Sequence, residues 1–191
     1  MLLEQVLRKA EHAAIAEKAA FWCTYMEEHL EFSLRDSRLH TAPHCARVLV
    51  LALTIAQRMR YEDVEDALAQ AAIFHDTRRQ NESYDQGHGA RAAYYYLTFC
   101  RNQGLTYSQR AASLMTWHDQ DDADGVEALI RQAGSRAAAK GWLEAYRIFK
   151  DADALDRVRI NADNLKPGML RTEAARGMVD FARQLFRDLP A

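Results

Sequence analysis

Apolar residues recur every three or four positions along most of this chain, the spacing that places side chains on one face of an α-helix. Near the start, the recurring residues are Leu3, Val6, Leu7, Ala10, Ala14 and Ile15. They predict an amphipathic helix that continues to about Phe32 with a break inside it. No segment alternates apolar and polar residues as a β-strand does, so the pattern predicts an all-α protein.

The next two predicted helices are the most apolar of the chain. A connection over residues 35–44 contains Pro43, a residue that is favoured in the first turn of a helix. The helix over 44–59 is apolar around most of its circumference, which predicts a buried, central position. The helix over 64–74 ends directly before a His-Asp pair, and a polar loop over 77–87 follows.

Further helices, separated by loops, complete the predicted bundle. They cover residues 88–101, 108–118 with Ser108 as N-cap, 126–132 after an acidic loop over 119–125, 142–160 and, after a break over 161–170, a closing helix over 171–187. The prediction is a compact bundle of about seven to nine helices in one domain over 1–191. Its core covers 39–160, and the helices of 1–33 and 171–187 pack on that core.

Composition and charge exclude several classes of function. Apolar residues make up 49% of the 191 residues, enough for a substantial core, and the formal net charge is −2. That charge provides no general attraction to nucleic acid or to an anionic membrane. The isolated residues Cys23, Cys45 and Cys100 predict reduced thiols, not disulfides or a thiolate zinc site. With no signal peptide and no apolar run of ~20 residues, the chain is expected to be cytoplasmic.

Histidines at helix boundaries, together with aspartates on apolar segments, suggest a metal site. His12 and His29 lie in the charged N-terminal region and are expected at the surface. The other histidines are His40, His44, His75, His88 and His118. Asp153 lies on an apolar helical stretch, where an ionised carboxylate is costly unless it is paired or bound to a metal. Imidazoles and carboxylates without thiolates suit divalent or trivalent first-row metal ions.

The candidate ligands divide into two sets. The set sufficient for one ion is His44, His75, Asp76 and Asp153. An aspartate such as Asp76 can bridge two ions, and His88 and His118 would then complete the second. Iron or manganese is the expected metal, and cobalt, nickel, zinc and magnesium are also compatible with these ligands.

In chain order, the segments HCARV, AAIFHD, HGARAA, WHD and KDADALD resemble the HD-domain superfamily of metal-dependent phosphohydrolases. The resemblance covers about Leu39 to Ile160 and implies an HD-type helical fold. It implies a basic set of metal ligands, His44, His75, Asp76 and Asp153. It also implies the additional pair of the two-metal subset, His88 and His118.

Two of these assignments have local alternatives. His40 competes with the preferred His44, because it lies only four residues earlier in the chain. Asp151 and Asp156 compete with the preferred Asp153. If they are not ligands, these two aspartates are expected to be solvated or to hydrogen-bond to a ligand.

The resemblance implies hydrolysis of a phosphate ester or anhydride, most often of a nucleotide, by a metal-activated water. Asp76, as the bridge, would hold the two ions together and orient the nucleophile. Cationic side chains beside the ligands are candidates for binding the phosphate: Arg78, Arg79, Lys150 and Arg157, with Arg79 preferred. For Lys150 and Arg157, a structural ion pair is an equal alternative.

Two acidic residues in the loop before His88 are further candidates. Glu82 and Asp85 would act as general acid–base groups or would orient a ligand. The partner expected is a small phosphate compound, most simply a nucleotide. Neither nucleic acid nor a membrane is expected, and a homo-oligomer is compatible with the chain.

Two other functions fit the same ligands. Some members of the superfamily, such as those resembling myo-inositol oxygenase, use two irons at such a site to activate oxygen. An HD domain that has lost catalysis would instead bind a nucleotide or a protein partner as a sensor. The ligands alone leave the three functions open, with the phosphohydrolase preferred.

Overall fold

A bundle of helices surrounds one long buried helix. The computed structural model describes residues 6–7, 13–35, 37, 39–161 and 164–190. The α-helices with defined bounds are α1 (Ala16–His29), α2 (Ala42–Met59), α3 (Glu65–Phe74), α4 (His88–Gln103), α5 (Gln109–Trp117), α6 (Asp122–Ala133), α7 (Lys140–Leu155), α8 (Glu173–Arg176) and α9 (Val179–Asp188). Short 3-10 helices cover Glu62–Val64, Asp156–Arg159 and Pro167–Met169. The prediction of an all-α bundle of seven to nine helices is confirmed within the described residues.

The helix α2 forms the centre of the core. It begins beside Pro43, as predicted, and is buried continuously from His44 to Ala56. It packs against α1, α3 and α7, with α9 also in contact. Because α2 is apolar on all sides, neighbours can cover its whole circumference, and His44 at its first turn is carried into the interior. The helix ends at Arg60 in the left-handed conformation, with φ 58°.

Local capping positions the helices that carry the other candidate ligands. The side chain of Ser108 accepts a hydrogen bond from Ala111 N, so the predicted N-cap of α5 is confirmed. The hydroxyl of Tyr96 on α4 accepts from Ser108 N at 2.8 Å and donates to Gln70 Oε1 at 2.5 Å on α3. This buried tyrosine therefore joins α3, α4 and the start of α5. The His-Asp pair directly follows the end of α3, and His118 directly follows the end of α5.

The acidic stretch over 119–125 was predicted to be a loop, and that prediction was wrong. The helix α6 begins inside it at Asp122, four residues before the predicted start at Val126. Aspartates in the first turn stabilise a helix through its positive N-terminal dipole. The carboxylate of Asp122 also pairs with Lys150 at 2.6 Å and with Arg171 at 2.7 Å, contacts that the local sequence does not reveal.

The ends of the chain also differ from the prediction. The single closing helix is divided into α8 and α9, which are separated around Gly177. At the start, a turn over 13–15 precedes α1, consistent with the predicted break, whereas residues 1–5 and 8–12 lie outside the described part. None of the described helices has the length and apolar character needed to cross a membrane. All three cysteines are free and buried.

A buried carboxylate on α7 anchors the start of α8. Asp151 is fully buried and accepts hydrogen bonds from Arg171 N at 2.8 Å and Thr172 N at 2.7 Å. The hydroxyl of Thr172 also donates to Asp151 at 2.8 Å and itself caps α8 by accepting from Ala175 N. Apart from metal binding, the sequence suggested two roles for Asp151, exposure to solvent and contact with a candidate ligand, and neither is found. Asp151 instead holds the segment that follows the 3-10 helix Pro167–Met169 against α7.

Replacing Asp151 with asparagine should lower the free energy of unfolding by about 2–3 kcal/mol, because hydrogen bonds to a buried charged group are lost. Urea denaturation of the metal-free protein measures this. The matched control is Asp180→Asn, since the Asp180 side chain is 96% exposed and pairs with Arg183 at the surface. A change within about 0.5 kcal/mol is expected there. Equal effects of the two substitutions would contradict the anchoring role.

Candidate metal centre

The fold brings all of the predicted ligands together in one cluster, which is buried except for the half-buried Asp153. They come from the first turn of α2, the end of α3, the start of α4, the end of α5 and the last turns of α7: His44, His75, Asp76, His88, His118 and Asp153. Ligand atoms of His44, His75 and Asp153 lie within 4.8 Å of one another, and so do those of His75, Asp76 and His118. Groups of this kind can hold a metal ion.

Three of the imidazoles are fixed in the same way, through a hydrogen bond from Nδ1 to a backbone carbonyl three residues earlier. The distances are 2.8 Å from His75 to Ala72 O, 2.6 Å from His88 to Asp85 O and 2.7 Å from His118 to Met115 O. A carbonyl oxygen only accepts, so Nδ1 must carry the hydrogen, and a neutral ring then has its lone pair on Nε2. His75 and His118 directly follow α3 and α5, where the last carbonyls of a helix lack partners within the helix.

The fourth imidazole is fixed by a carboxylate. Nδ1 of His44 lies 2.7 Å from Oδ2 of Asp156, which in turn binds the guanidinium of Arg47 through both oxygens. A charged carboxylate is also an acceptor only, so His44 likewise presents Nε2 to the cluster. Of the two roles left open for Asp156, contact with a ligand is therefore the one observed.

The Nε2 atoms face one another in two close pairs. Nε2 of His44 lies 3.2 Å from Nε2 of His75, and Nε2 of His88 lies 2.8 Å from Nε2 of His118. Two lone pairs at these distances repel unless a proton or a metal ion lies between them. Burial lowers the pKa of His75 to about 3 and also lowers that of His118, so both rings are neutral near pH 7.

The second pair differs from the first in its charge. Burial is the largest influence and tends to lower the pKa of His88, but the hydrogen bond with Asp76, the charge of Asp76 and the hydrogen bond to the Asp85 carbonyl together outweigh it and raise that pKa. Nε2 of His88 lies 3.0 Å from Oδ1 of Asp76. In the metal-free protein a proton on His88 can therefore satisfy both Asp76 and His118. A metal ion at this position would replace that proton, as metal ions generally do when they bind imidazole.

Asp76 occupies the middle of the cluster. Its Oδ1 lies 3.0 Å from Nε2 of His88 and 3.8 Å from Nε2 of His75, whereas its Oδ2 lies 3.5 Å from Nε2 of His44, so the carboxylate contacts both imidazole pairs. Burial alone would raise the pKa of Asp76, but His75, His40 and His88 outweigh it and hold that pKa well below its usual range. The geometry suits a carboxylate that bridges two cations.

Asp153 supplies a second carboxylate on the cavity side of the cluster. Its Oδ1 lies 3.4 Å from Nε2 of His44, and 32% of the side chain is exposed. Burial tends to raise its pKa, but the hydrogen bond and charge of His44 hold it well below its usual range. Two ionised carboxylates among the imidazoles attract positive charge to this position, whether a proton on His88 or a bound cation.

His40 also belongs to this cluster, although the sequence offered it only as an alternative to His44. Its Nδ1 lies 2.7 Å from Oδ2 of Asp76, and its ring is buried. His40, His44 and Asp76 form a further group that could hold a metal ion. The two histidines are therefore not exclusive alternatives: the turn before α2 brings His40 to the same carboxylate that His44 approaches from within the helix.

The cluster lies on the floor of a cavity of about 530 Å³. Floor residues that reach this cavity include His40, Asp76, His88, His118 and Asp153. The loop between α3 and α4 forms one wall, with Arg79, Glu82 and Asp85 among its residues, and α7 and the segment after it form the opposite wall. Five of the predicted substrate or catalytic residues, Arg79, Glu82, Asp85, Lys150 and Arg157, thus line the cavity together.

Arg79 lies closest to the floor among the arginines of the loop. Its guanidinium donates to Ser83 O at 2.7 Å and lies 3.7 Å from Oδ1 of Asp76, with His88 also in contact. The side chain is buried, and its Nε has no hydrogen-bond partner in the described part of the chain. A buried N–H without a partner is uncommon and indicates a place for a water, an ion or a ligand.

Arg78, although adjacent in sequence, points away from the cavity. Its guanidinium lies 3.3 Å from the ring centroid of Tyr95 and donates to the carbonyl of Glu31. It is the one predicted phosphate-binding residue that does not line the cavity. Successive residues of a turn face different directions, and of the two arginines it is the preferred Arg79 that lines the cavity.

The remaining candidates have distinct surroundings. Lys150 pairs with Asp122 and donates to Gln120 O, which is the structural alternative considered for it. The carboxylate of Asp85 accepts a hydrogen bond from Gln80 N, and both of its oxygens accept from Nη2 of Arg91. These contacts hold the loop in place. The carbonyl of Asp85 at the same time holds His88.

Several cavity residues were not predicted from the sequence. Besides His40 and Asp119, they include the cations Arg159, Lys166 and Arg171. Asp119 accepts from Gly87 N and lies 3.3 Å from Nδ1 of His88. Its position directly after His118, in a second His-Asp pair, was the available sequence signal. Arg157 and Lys166 are exposed, and no ion pair involves either of them among the described residues.

No known protein family, curated protein or solved structure matches the chain. The resemblance to the HD-domain superfamily therefore stays a prediction from the motifs, and the geometry stands on its own.

The close approach of α4 to α5 provides a test of the second pair. A Cβ added at Gly89 would meet the carbonyl oxygen of Met115 and come within 2.9 Å of Nδ1 of His118, the two atoms that fix this imidazole. Gly89→Ala should therefore displace His118. After reconstitution with Mn²⁺, elemental analysis should find fewer bound ions per chain than in the unsubstituted protein.

The matched control is Gly125→Ala, whose added Cβ would meet the hydroxyl and ring of Tyr146, a side chain that bonds the carbonyl of Trp117 and contacts neither atom that fixes His118. Both substitutions overpack a helix contact and should cost about 1–3 kcal/mol in stability. Only Gly89→Ala should lower the Mn²⁺ content. Equal metal content in the two variants would show that His118 is not part of a metal site.

Proposed function

We propose that this protein is a metal-dependent phosphohydrolase that acts on a small phosphate compound, most simply a nucleotide. The observation that carries the proposal is the convergence of paired Nε2 atoms and ionised carboxylates on the floor of a cavity whose walls carry arginine and lysine. Metal ligands on the floor and cations on the walls are the two requirements for hydrolysing a phosphate ester.

The donors fit two ions better than one. One ion would be held by His44, His75 and Asp153, and the other by His88 and His118, with Asp76 as the shared ligand. The buried thiol of Cys45 lies 3.9 Å from Nδ1 of His75, on the side of the ring opposite the Nε2 atom that faces the other donors, so it is not placed among the candidate ligands. Ligands of nitrogen and oxygen only are consistent with iron or manganese.

When bound, such ions supply hydroxide from water near neutral pH and neutralise charge on the phosphoryl oxygens. The contribution of this chain is to orient the donors. The carbonyls of Ala72, Asp85 and Met115 fix three imidazoles, and Asp156 fixes the fourth. Preorganised donors avoid a cost of rearrangement during the reaction.

Arg79 is the proposed contact to the phosphate. Its Nε is buried without a partner, its guanidinium lies beside Asp76, and it lines the cavity. A phosphoryl oxygen of a bound substrate would contact the Nη groups, because the buried Nε is not accessible from the cavity, and guanidinium groups suit phosphate geometry. Arg157, exposed on the opposite wall, is available for a second contact to the substrate.

The two acidic residues of the loop have different proposed roles. Asp85 positions the loop through Arg91 and holds His88 through its carbonyl, so we assign it to orientation. Glu82 lies exposed on the cavity wall and is the better candidate for proton transfer to the leaving group.

The size and walls of the cavity are compatible with a nucleotide. Small-molecule sites usually occupy roughly 300–1,000 Å³, and this cavity has about 530 Å³. Tyr84 and Met169, which line it, are 81% and 68% exposed and offer apolar surface to an organic group. Aromatic and thioether side chains of this kind can pack against a base or a sugar.

The deciding experiment is a hydrolysis screen. The purified protein is stripped with chelator and reloaded with Mn²⁺, Fe²⁺, Co²⁺, Ni²⁺ or Mg²⁺. Each metal-loaded form is incubated with nucleotides of each class and with simple phosphate esters. The phosphate or nucleoside released is then measured. Phosphate release should require the metal and should be abolished by His75→Ala and Asp76→Ala. Turnover retained in both variants would contradict the assignment.

Three further outcomes separate the alternatives. Metal-dependent oxygen consumption without phosphate release would indicate the oxygenase. Nucleotide binding without turnover by any metal-loaded form would indicate a sensor. Failure to bind any of the five metals would contradict both the phosphohydrolase and the oxygenase.

The two neighbouring arginines provide a matched pair for the phosphate contact. Arg79→Met should lower kcat/KM by roughly ten- to a hundredfold, because a hydrogen bond to a charged group contributes ~1.5–3 kcal/mol. Arg78→Met should leave kcat/KM within about twofold, because Arg78 packs on Tyr95 outside the cavity. Steady-state kinetics on the best substrate of the screen compares them. A larger loss in Arg78→Met would contradict the role of Arg79.

A further inference from the structure

A fully buried arginine lies behind the metal cluster and does not face the cavity. Arg47 on α2 has no exposed surface, and all of its donor nitrogens are hydrogen-bonded. Its Nε and Nη2 donate to the two oxygens of Asp156 at 2.6 and 2.9 Å, and its Nη1 donates to the carbonyl of Leu189 at 2.7 Å. The ring of Phe186 lies 5.1 Å from the guanidinium carbon. Arg47 therefore joins α2 both to the turn after α7 and to the end of α9.

The carboxylate of Asp156 connects this arginine to a candidate ligand. Oδ2 accepts from Nδ1 of His44 at 2.7 Å while the guanidinium of Arg47 holds both oxygens. A bidentate contact fixes the plane and the direction of a carboxylate, since guanidinium presents its N–H groups in a rigid fork. Arg159 adds a contact to the carbonyl of Asp156 at 3.1 Å. The carboxylate cannot rotate away from His44 without breaking these bonds.

The orientation of the imidazole follows from that of the carboxylate. Nδ1 of His75, His88 and His118 bonds a backbone carbonyl three residues earlier. His44, in the first turn of α2, bonds the side chain of Asp156 instead. Its Nε2 reaches Asp153, Asp76 and His75 only while Nδ1 stays on Asp156. His44 thus depends on a long-range partner, 112 residues away in the chain, for an orientation that the others obtain locally.

We infer that Arg47 and Asp156 are positioning residues for a metal ion at His44, and that α9, through the carbonyl of Leu189, is part of their support. This inference rests on the proposed metal-binding function. It assigns a functional consequence to a helix that lies outside the motif segments. The competing interpretation is that the buried ion pair only stabilises the fold.

Asp151 on α7 supplies the control that separates these two interpretations. Asp151 is as buried as Asp156 and also accepts several hydrogen bonds, but its partners are Arg171 and Thr172, not a candidate ligand. Asp151→Asn and Asp156→Asn remove the same charge, one from the last turns of α7 and one from the 3-10 turn that directly follows it. Both should destabilise the protein, and only Asp156→Asn should affect the metal.

Co²⁺ is titrated into the chelator-treated full chain. The visible absorption bands of bound Co²⁺ report the number and geometry of its ligands, and a competing chelator gives the affinity. Asp156→Asn should weaken Co²⁺ binding by roughly 10–100-fold, the usual effect of removing a partner of a metal-bound histidine. It should also alter the absorption spectrum. Asp151→Asn should leave the affinity within about twofold and the spectrum unchanged.

Where Asp156→Asn does not fold, Arg47→Lys decides the question with the same two readouts, because lysine keeps the charge but loses the fork. A smaller loss of affinity together with a changed spectrum is expected. Unchanged Co²⁺ affinity and spectrum in the folded variant would overturn the positioning role and leave the metal site standing. No Co²⁺ binding by the unsubstituted protein would instead overturn the proposed function itself.

Discussion

The geometry of the candidate centre depends on one repeated interaction, the hydrogen bond that fixes Nδ1 of His44, His75, His88 and His118 and leaves Nε2 facing inward. At His75 and His118 the acceptor is a carbonyl in the last turn of a helix, a group that lacks a partner within the helix. The same bond therefore ends a helix and orients a ligand. This explains why the ligands lie at helix boundaries: only there does the backbone offer free acceptors beside a buried space.

The electrostatics of the cluster follow from the same arrangement. Neutral imidazoles at His75 and His118 and ionised carboxylates at Asp76 and Asp153 are held together away from bulk water. Without a metal ion, a proton on His88 and the guanidinium of Arg79, 3.7 Å from Asp76, offset part of the negative charge. The Nε2 atoms of His44 and His75 remain 3.2 Å apart. A folded chain keeps such an arrangement at a cost in stability, which is more typical of functional sites than of structural cores.

The sequence predicted the features that local chemistry determines and missed those that depend on distant partners. Ser108 as a cap and Pro43 in a first turn were identified from residue type and neighbours, and so was the set of histidines and aspartates that the fold brings together. The roles of Asp156 and Asp151 could not be assigned, because the partners of both are remote in sequence. The start of α6 was misplaced because pairing with Arg171 and the helix dipole outweighed the loop character of an acidic run.

The spread of the ligands along the chain has a consequence for how the protein unfolds. Candidate ligands are separated by 31 residues between His44 and His75 and by 30 between His88 and His118. An ion held by such residues would act as a cross-link that closes several loops at once. The entropy of the unfolded chain would fall while the ion stayed bound, and more for the longer loops. The bound ion would then stabilise the folded helical bundle in addition to its role in chemistry.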